Sequence, residues 1–187
     1  MKYYKKLVGE RIYLSPINIE DAEKYVEWFC DFKTTDGINK SGSIMTVESE
    51  REWIETTLKN NNFNFAIVKL ENDEMIGNCG IMNINQKDRY AEVGIFIGDE
   101  KNRSNGYGTE CLKLLLDFGF NYMNFNNIML GVKSFNERAI ACYKKVGFKE
   151  FGRRRESYFL NGKYYDDVYM DILAREFEGD YIKNKNV

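Results

Sequence analysis

Apolar residues recur along this chain with two different spacings, and the order of those spacings predicts a mixed α/β domain. Alternating apolar and polar positions predict strands at 11–15, 63–70, 75–84, 90–97 and 128–132, and two more strands that meet at Asn161-Gly162. Apolar positions three and four residues apart predict helices that begin at Asn18, Thr46, Gly106 and Asn136. The resulting order, β-α-α-β-β-β-α-β-α-β-β, is that of an α/β (α+β) fold with one mixed sheet and about four helices.

The length of 187 residues predicts a single domain over 1–187. Its core is expected over about 8–174, residues 31–45 are expected to form a loop, and the polar tail over 175–187 is expected to fray. The helix over 106–123 is apolar almost all round, so it is expected to be buried.

Charge and composition narrow the function classes. The net charge is −2, with 27 basic and 29 acidic residues scattered along the chain, which does not favour nucleic-acid binding. No apolar run is long enough to cross a membrane, and the first residues lack the apolar core of a signal peptide. The four cysteines do not have metal-ligand spacing and there is no histidine, so we expect no metal site and a cytoplasmic protein with reduced thiols.

The chemistry-bearing stretch is the end of the 90–97 strand and the turn that follows it. Arg103-x-x-Gly106-x-Gly108 opens directly onto the apolar helix. A helix N-terminus presents unpaired backbone N–H groups and the positive end of the helix dipole, so this turn is suited to hold a phosphate, with Lys101 and Arg103 adding positive charge. A tight turn with a glycine N-cap would give the same pattern.

A second motif follows after one helix and one strand. It is Asn136-x-x-Ala139-x-x-x-Tyr143-x-Lys145-x-Gly147-Phe148. With these two motifs the sequence resembles the GNAT superfamily of acetyl-CoA-dependent N-acetyltransferases, over roughly residues 8–174. The segment from Gly152 to Asp167 resembles the RimJ/RimL-type branch.

The resemblance implies a fold, a co-substrate and a set of site residues. The fold would be the GNAT acyl-CoA N-acyltransferase fold, with a mostly antiparallel sheet that is splayed at the cofactor site. Acetyl-CoA would be held by the 90–97 strand, the glycine turn and the helix from Asn136, and the expected binding residues are Ile95, Phe96, Ile97, Arg103, Ser104, Asn105, Gly106, Tyr107, Gly108, Thr109, Asn136 and Tyr143.

Two residues are expected to carry the chemistry. Glu92 shares a strand face with Tyr90, Gly94 and Phe96, and a partly apolar face disfavours the charged carboxylate, as suits a general base. The resemblance places Tyr143 beside the CoA sulfur as the proton donor. Each has a plainer interpretation, namely a solvent-facing Glu92 and a core Tyr143. Asn136 has one as well, a position in the first turn of a helix that begins with a capping box of Ser134 and Glu137. Glu156 and solvent stay open as alternative bases.

The expected reaction is acetyl transfer to a primary amine, with the α-amine of a protein N-terminus as the leading acceptor. Polyamines, aminoglycosides and other small amines are alternatives, and a non-enzymatic acetyl-CoA-binding module is a third interpretation. The expected partners are therefore acetyl-CoA and an amine, with no nucleic acid and no membrane. The sequence leaves open whether the chain forms a homodimer.

Overall fold

A computed structural model describes residues 2–38, 40–60 and 63–185, and eight of their segments join into one sheet. The strands are β1 (Leu7–Val8), β2 (Ile12–Pro16), β3 (Phe63–Lys69), β4 (Met75–Asn85), β5 (Tyr90–Ile97), β6 (Asn127–Lys133), β7 (Lys149–Leu160) and β8 (Lys163–Leu173). Their spatial order is β1-β2-β3-β4-β5-β6-β8-β7. Among the described strands, only the β5–β6 pair is parallel, and the other neighbours are antiparallel.

Helices cover both faces of this sheet. Within the described residues the α-helices are α1 (Ala22–Phe29), α2 (Phe32–Thr35), α3 (Val47–Lys59), α4 (Tyr107–Asp117) and α5 (Glu137–Val146). Thr46 begins α3 with a reciprocal cap, because its side chain accepts from the Ser49 N–H and the Ser49 side chain accepts from the Thr46 N–H. The helix starts predicted at Thr46 and Asn136 are confirmed, and Asn18 caps a 3₁₀ turn, Ile19–Asp21, that leads into α1.

Strand alternation divides the core into two layers. In β2, Ile12 and Leu14 pack on the α4 side while Tyr13 between them packs on the α1 side. The α4 layer contains Leu112, Leu114 and Leu115, and the other layer contains Tyr25 and Trp28 of α1 and Ile54 of α3. Both faces of the central strands are therefore buried, which explains why β3 is apolar at consecutive positions.

The sheet opens between β5 and β6. Their pairing covers only Tyr90–Glu92 against Asn127–Met129, although β5 runs on to Ile97 and β6 to Lys133. From Val93 onward the edge of β5 that faces β6 therefore lacks a strand partner. The predicted mixed, mostly antiparallel sheet with one splay is confirmed.

Two local predictions were incomplete. The expected loop over 31–45 contains α2 and a 3₁₀ turn, Asp36–Ile38, because Asp31 caps α2 by accepting from the Lys33 N–H. The helix predicted over 106–123 is α-helical only to Asp117 and continues as a π-helical turn, Phe118–Tyr122. As expected, its α-helical part is largely buried.

The C-terminal segment packs against the sheet domain rather than fraying. Ile182 is 4% exposed, and the backbone N–H groups of Tyr181 and Ile182 donate to the fully buried Asp117 carboxylate. The Lys183 N–H also donates to the carbonyl of Val8. The prediction failed because this anchoring depends on Asp117, which is distant in sequence. Met1, Asn186 and Val187, the ends of the predicted 1–187 domain, lie outside the described residues.

Across the described part of the chain, no helix has both the length and the apolar character needed to cross a bilayer.

Candidate active site

Two adjoining clefts lie where β5 and β6 separate. The loop cleft, about 360 Å³, lies between the end of β5, the turn 103–109 and the first turns of α5. The strand cleft, about 410 Å³, lies between α3 on one side and β5, β6 and β8 on the other. Ile95, Phe96 and Tyr143 line both clefts, so the clefts meet at these side chains.

The loop cleft is built around the N-terminus of α4. Gly106 is the N-cap with a φ of 84°, a left-handed conformation that favours glycine. Glu110 in the first turn accepts from the Glu10 and Arg11 N–H groups at 2.7 and 2.8 Å, which fixes the helix end against the β1–β2 turn. A Cβ at Gly108 would lie 3.9 Å from both Cys142 and Ile95, so this position opens toward the cleft without strain.

Arg103 has a structural role as well as lining the loop cleft. Its guanidinium donates to the carbonyls of Ile97 and Gly98 at 3.0 and 2.7 Å and to the Thr34 hydroxyl at 2.6 Å. These bonds hold the end of β5 against α2. Burial lowers the pKa of the Arg103 guanidinium, and the nearby Arg138 lowers it further.

Several basic residues line the loop cleft, but Lys101, which was expected to add positive charge there, is not one of them. Its ammonium pairs with Glu74 at 3.2 Å, and the residue does not line the cleft. The basic residues that line the cleft are Lys33, Arg103, Arg138 and Lys145. Of these, only Arg103 was expected as a ligand of the cofactor.

Ten of the twelve expected cofactor residues line the loop cleft: Ile95, Phe96, Ile97, Arg103, Ser104, Gly106, Gly108, Thr109, Asn136 and Tyr143. Asn105 and Tyr107 do not. The Asn105 amide donates to the Lys101 carbonyl at 2.8 Å, and the Tyr107 ring packs under the Arg11 guanidinium at 4.8 Å. Their side chains therefore fix the turn rather than face the cleft.

Asn102 is a cleft residue that sequence reasoning missed. It is 3% exposed, lines the loop cleft, and its amide nitrogen has no hydrogen-bond partner among the described residues. An unpaired buried donor is costly, so an acceptor bound in the cleft would stabilise this nitrogen. Its only signal in the sequence was its position directly before Arg103.

Asn136 is the N-cap of α5. Its side-chain oxygen accepts from the Ala139 N–H at 3.2 Å. The expected capping box of Ser134 and Glu137 is wrong, because the Ser134 hydroxyl instead accepts from the Asp166 N–H at 3.1 Å. The Asn136 amide group lines the loop cleft while it caps the helix.

Tyr143 lies at the junction of the two clefts. Burial raises the pKa of its hydroxyl, with Cys142 and Cys111 adding to the effect. Its ring contacts Phe148 edge-on at 6.1 Å between centroids. The phenol is therefore protonated at neutral pH, and it lies where the two clefts meet.

The two candidate bases are separated by the structure. Glu92 is half-buried, lies opposite Met82 in the β4–β5 ladder, and lines the strand cleft. Its carboxylate accepts from the Asn83 amide at 2.7 Å. Glu156 lies at a bulge of β7 with a φ of 50° and lines a separate depression with Arg155 and Asp166.

Glu50 is a second cleft residue that the sequence did not indicate. It belongs to α3, is 2% exposed and lines the strand cleft. Burial raises the pKa of its carboxyl group, while the charge of Lys40 lowers it in part. In the sequence, Glu50 lies among the exposed acidic residues of α3, and no local pattern distinguishes it from them.

Comparison with known families identifies the class of protein that this fold and these clefts define. The family model of the acetyltransferase (GNAT) domain matches residues 11–149, so the chain belongs to this family and is an acetyl-CoA-dependent N-acetyltransferase.

Individual relatives extend over most or part of the chain. An uncharacterized N-acetyltransferase, p20, from Bacillus licheniformis is 28% identical over 92% of this chain and 98% of its own length. The putative ribosomal N-acetyltransferase YdaF from Bacillus subtilis is 30% identical over 59% of this chain and 60% of its own length. The spermidine N-acetyltransferase from Vibrio cholerae, solved with CoA and spermine, is 23% identical with a TM-score of 0.80, covering 88% of this chain and 96% of that one.

Proposed function

We propose that this protein transfers the acetyl group of acetyl-CoA directly to a primary amine, with acetyl-CoA in the loop cleft and the amine in the strand cleft. The observation that carries this proposal is the position of Tyr143, which lines both clefts. A direct transfer needs both substrates in contact at one point, and the junction at Tyr143, Ile95 and Phe96 provides it.

The loop cleft fits the anionic half of the co-substrate. The N-terminus of α4, four basic side chains and the unpaired Asn102 amide nitrogen all favour a pyrophosphate. The cofactor residues are those named from the sequence, with Ser104, Gly106, Gly108 and Thr109 at the phosphates and Asn136 along the arm. Asn105 and Tyr107 contribute through their backbone, since their side chains lie elsewhere. The unpaired edge of β5 from Val93 to Ile97 offers backbone groups to the amides of the pantetheine arm.

The proposed chemistry gives roles to Glu92, to the backbone of β5 and to Tyr143. Glu92 accepts a proton from the acceptor ammonium, directly or through one water, and so frees the nitrogen lone pair. A backbone N–H of β5 stabilises the oxyanion that forms when this nitrogen bonds to the thioester carbonyl. Tyr143 donates its proton to the sulfur as the tetrahedral adduct collapses and the carbon–sulfur bond breaks. The nitrogen gives up its second proton to solvent as the amide forms, and Tyr143 regains a proton from solvent.

The leading acceptor is the α-amine of a protein N-terminus, in keeping with the proposed RimJ/RimL-type branch. The similarity to a putative ribosomal N-acetyltransferase supports this choice. A polyamine is the second candidate, and two observations favour it: Glu50 and Glu92 both line the strand cleft, and a relative of the same fold is a spermidine N-acetyltransferase.

The remaining expectations concern the whole protein. We propose a single domain over 1–187 that works in the cytoplasm, supported by its four free cysteines. A homodimer is supported by β7, the last strand in the sheet order, where Phe151 and Phe159 are largely exposed.

A thiol-release assay tests the proposed function. The protein is mixed with acetyl-CoA and, separately, N-terminal peptides, polyamines, aminoglycosides and amino sugars. We expect thiol release that depends on the amine, together with a product whose mass has increased by one acetyl group. Release at the same rate without any amine would contradict the proposal.

A further inference from the structure

Glu50 is a nearly fully buried residue that lines the strand cleft, and its carboxylate has no partner among the residues that the structure describes. The residue is 2% exposed, and no hydrogen bond or ion pair joins its carboxylate to another described residue. Burying a carboxylate this deeply is unfavourable unless it is paired or hydrogen-bonded. Glu50 is therefore suited to bind a group that enters the cleft from outside.

The charges of the strand cleft leave one negative charge in excess. Three acidic residues, Glu50, Glu92 and Asp167, line it, together with the two basic residues Lys40 and Lys133. Lys133 pairs with Asp167 at 2.5 Å, so those two charges compensate each other. The Lys40 ammonium lies over the Phe29 ring, 5.2 Å from its centroid, and makes no ion pair with Glu50.

The position of Glu50 differs from that of the reaction centre. Tyr143 lines both clefts, and Glu92 lies on β5. Glu50 lies on α3 instead, and it lines the strand cleft but not the loop cleft. Trp53, one turn further along α3, lines the same wall. An acceptor whose reactive nitrogen is at Tyr143 therefore extends toward α3, where Glu50 meets a second part of the molecule.

We propose that Glu50 binds a second cationic group of the acceptor, an ammonium separated from the amine that is acetylated. This inference rests on the proposed function and names its substrate class as an amine with two or more positive charges. A charge-assisted hydrogen bond to a buried carboxylate is strong and directional, so Glu50 selects such acceptors over neutral-tailed amines of the same length. Spermidine-like amines and peptides with an early lysine share this chemistry.

Matched pairs of acceptors test the proposal. The first pair is putrescine and butylamine, which differ only in the terminal ammonium. The second is a tetrapeptide with lysine at its second position and the same peptide with norleucine there. Thiol release gives kcat/KM for each acceptor, and calorimetry in the presence of CoA gives its affinity independently of turnover. Each pair is measured with the wild type, Glu50→Gln, and the control Glu48→Gln, an exposed residue of the same helix that lines neither cleft.

We expect the wild type to prefer the dicationic member of at least one pair, and Glu50→Gln to reduce that preference by about 10- to 100-fold. Glu48→Gln keeps the wild-type ratio, and the pair with the larger Glu50-dependent ratio shows which source of the second charge is used. Equal ratios in Glu50→Gln and wild type, or no preference in the wild type, would overturn the proposal. Binding without thiol release would instead contradict the proposed function, because the two readouts are separate.

Discussion

At the scale of single residues, the proposed site combines two carboxylates, Glu50 and Glu92, and the phenol of Tyr143, all of which line the strand cleft. Glu92 and Tyr143 could be named from the sequence because each lies in a local pattern, the alternating face of β5 and the motif of α5. Glu50 and Asn102 could not, because no local pattern distinguishes these two buried residues from their neighbours. Local periodicity reports which face a residue occupies, and it does not report what covers that face.

Glu92→Gln keeps the shape of the side chain and removes its basicity. If Glu92 accepts the amine proton, activity falls at neutral pH and recovers as the pH rises toward the pKa of the amine, since an amine without its extra proton needs no base. A pH–rate profile of both enzymes checks this. Glu156→Gln serves as the matched variant. If Glu156→Gln shows the pH-dependent loss of activity and Glu92→Gln keeps the wild-type profile, Glu156 and not Glu92 is the base.

At the scale of elements, most strands, turns and helix ends follow from local rules. Gly147 ends α5 with a φ of 113°, and Asn161-Gly162 forms the β7–β8 turn with φ values of 48° and 78°, as the sequence predicts. The short α2 and the π-helical turn after α4 were missed because neither has a periodicity of its own. The splay between β5 and β6 was implied by the family resemblance and could not be derived from the strands alone.

The glycine turn gives an element-scale prediction. Gly106 has a left-handed backbone, so a substitution there would test strain rather than binding. Gly108 is free of this problem, and Gly108→Val projects methyl groups toward the loop cleft. We expect calorimetry to show CoA binding weakened by about 10-fold or more, which corresponds to about 1.4 kcal/mol.

Gly108→Ala is the matched control, because its single Cβ meets only ordinary contacts. It is expected to bind CoA nearly as the wild type does. If Gly108→Val also binds CoA with unchanged affinity while circular dichroism shows an intact fold, the co-substrate does not approach the start of α4.

At the scale of the whole molecule, the described C-terminal segment closes the α4 face of the sheet. The buried carboxylate of Asp117 accepts from the Tyr181 and Ile182 N–H groups at 2.7 and 2.9 Å and from the Asn121 amide at 2.8 Å. Asn184 extends this contact to β1 by accepting from the Val8 N–H at 3.1 Å. A polar stretch of sequence is thus held in place by hydrogen bonds between backbone N–H groups and side-chain oxygens. The composition of the segment does not predict these bonds.

Asp117→Ala removes the acceptor of two backbone donors. We expect the free energy of unfolding to fall by about 1–3 kcal/mol, because the donors are either left unpaired or released with the tail. Denaturant unfolding measures this loss of stability. Hydrogen exchange at Tyr181 and Ile182 should become faster than in the wild type, and faster than in the middle of α4. Asp180→Ala, which removes an exposed partner of Lys185, is the control and should change stability little. Unchanged exchange at Tyr181 and Ile182 in Asp117→Ala would show that the tail is held by other contacts.

The account as a whole depends on Tyr143 acting where the two clefts meet. Single-turnover thiol release by Tyr143→Phe tests this most directly, since the substitution keeps the ring and removes only the proton donor. We expect the rate of transfer to fall by about 10²- to 10⁴-fold with little change in CoA affinity. Because burial raises the pKa of this hydroxyl, the wild-type rate should not decline through the ordinary titration range of tyrosine. A phenylalanine variant that transfers acetyl groups at the wild-type rate would contradict the account and leave Tyr143 as a packing residue.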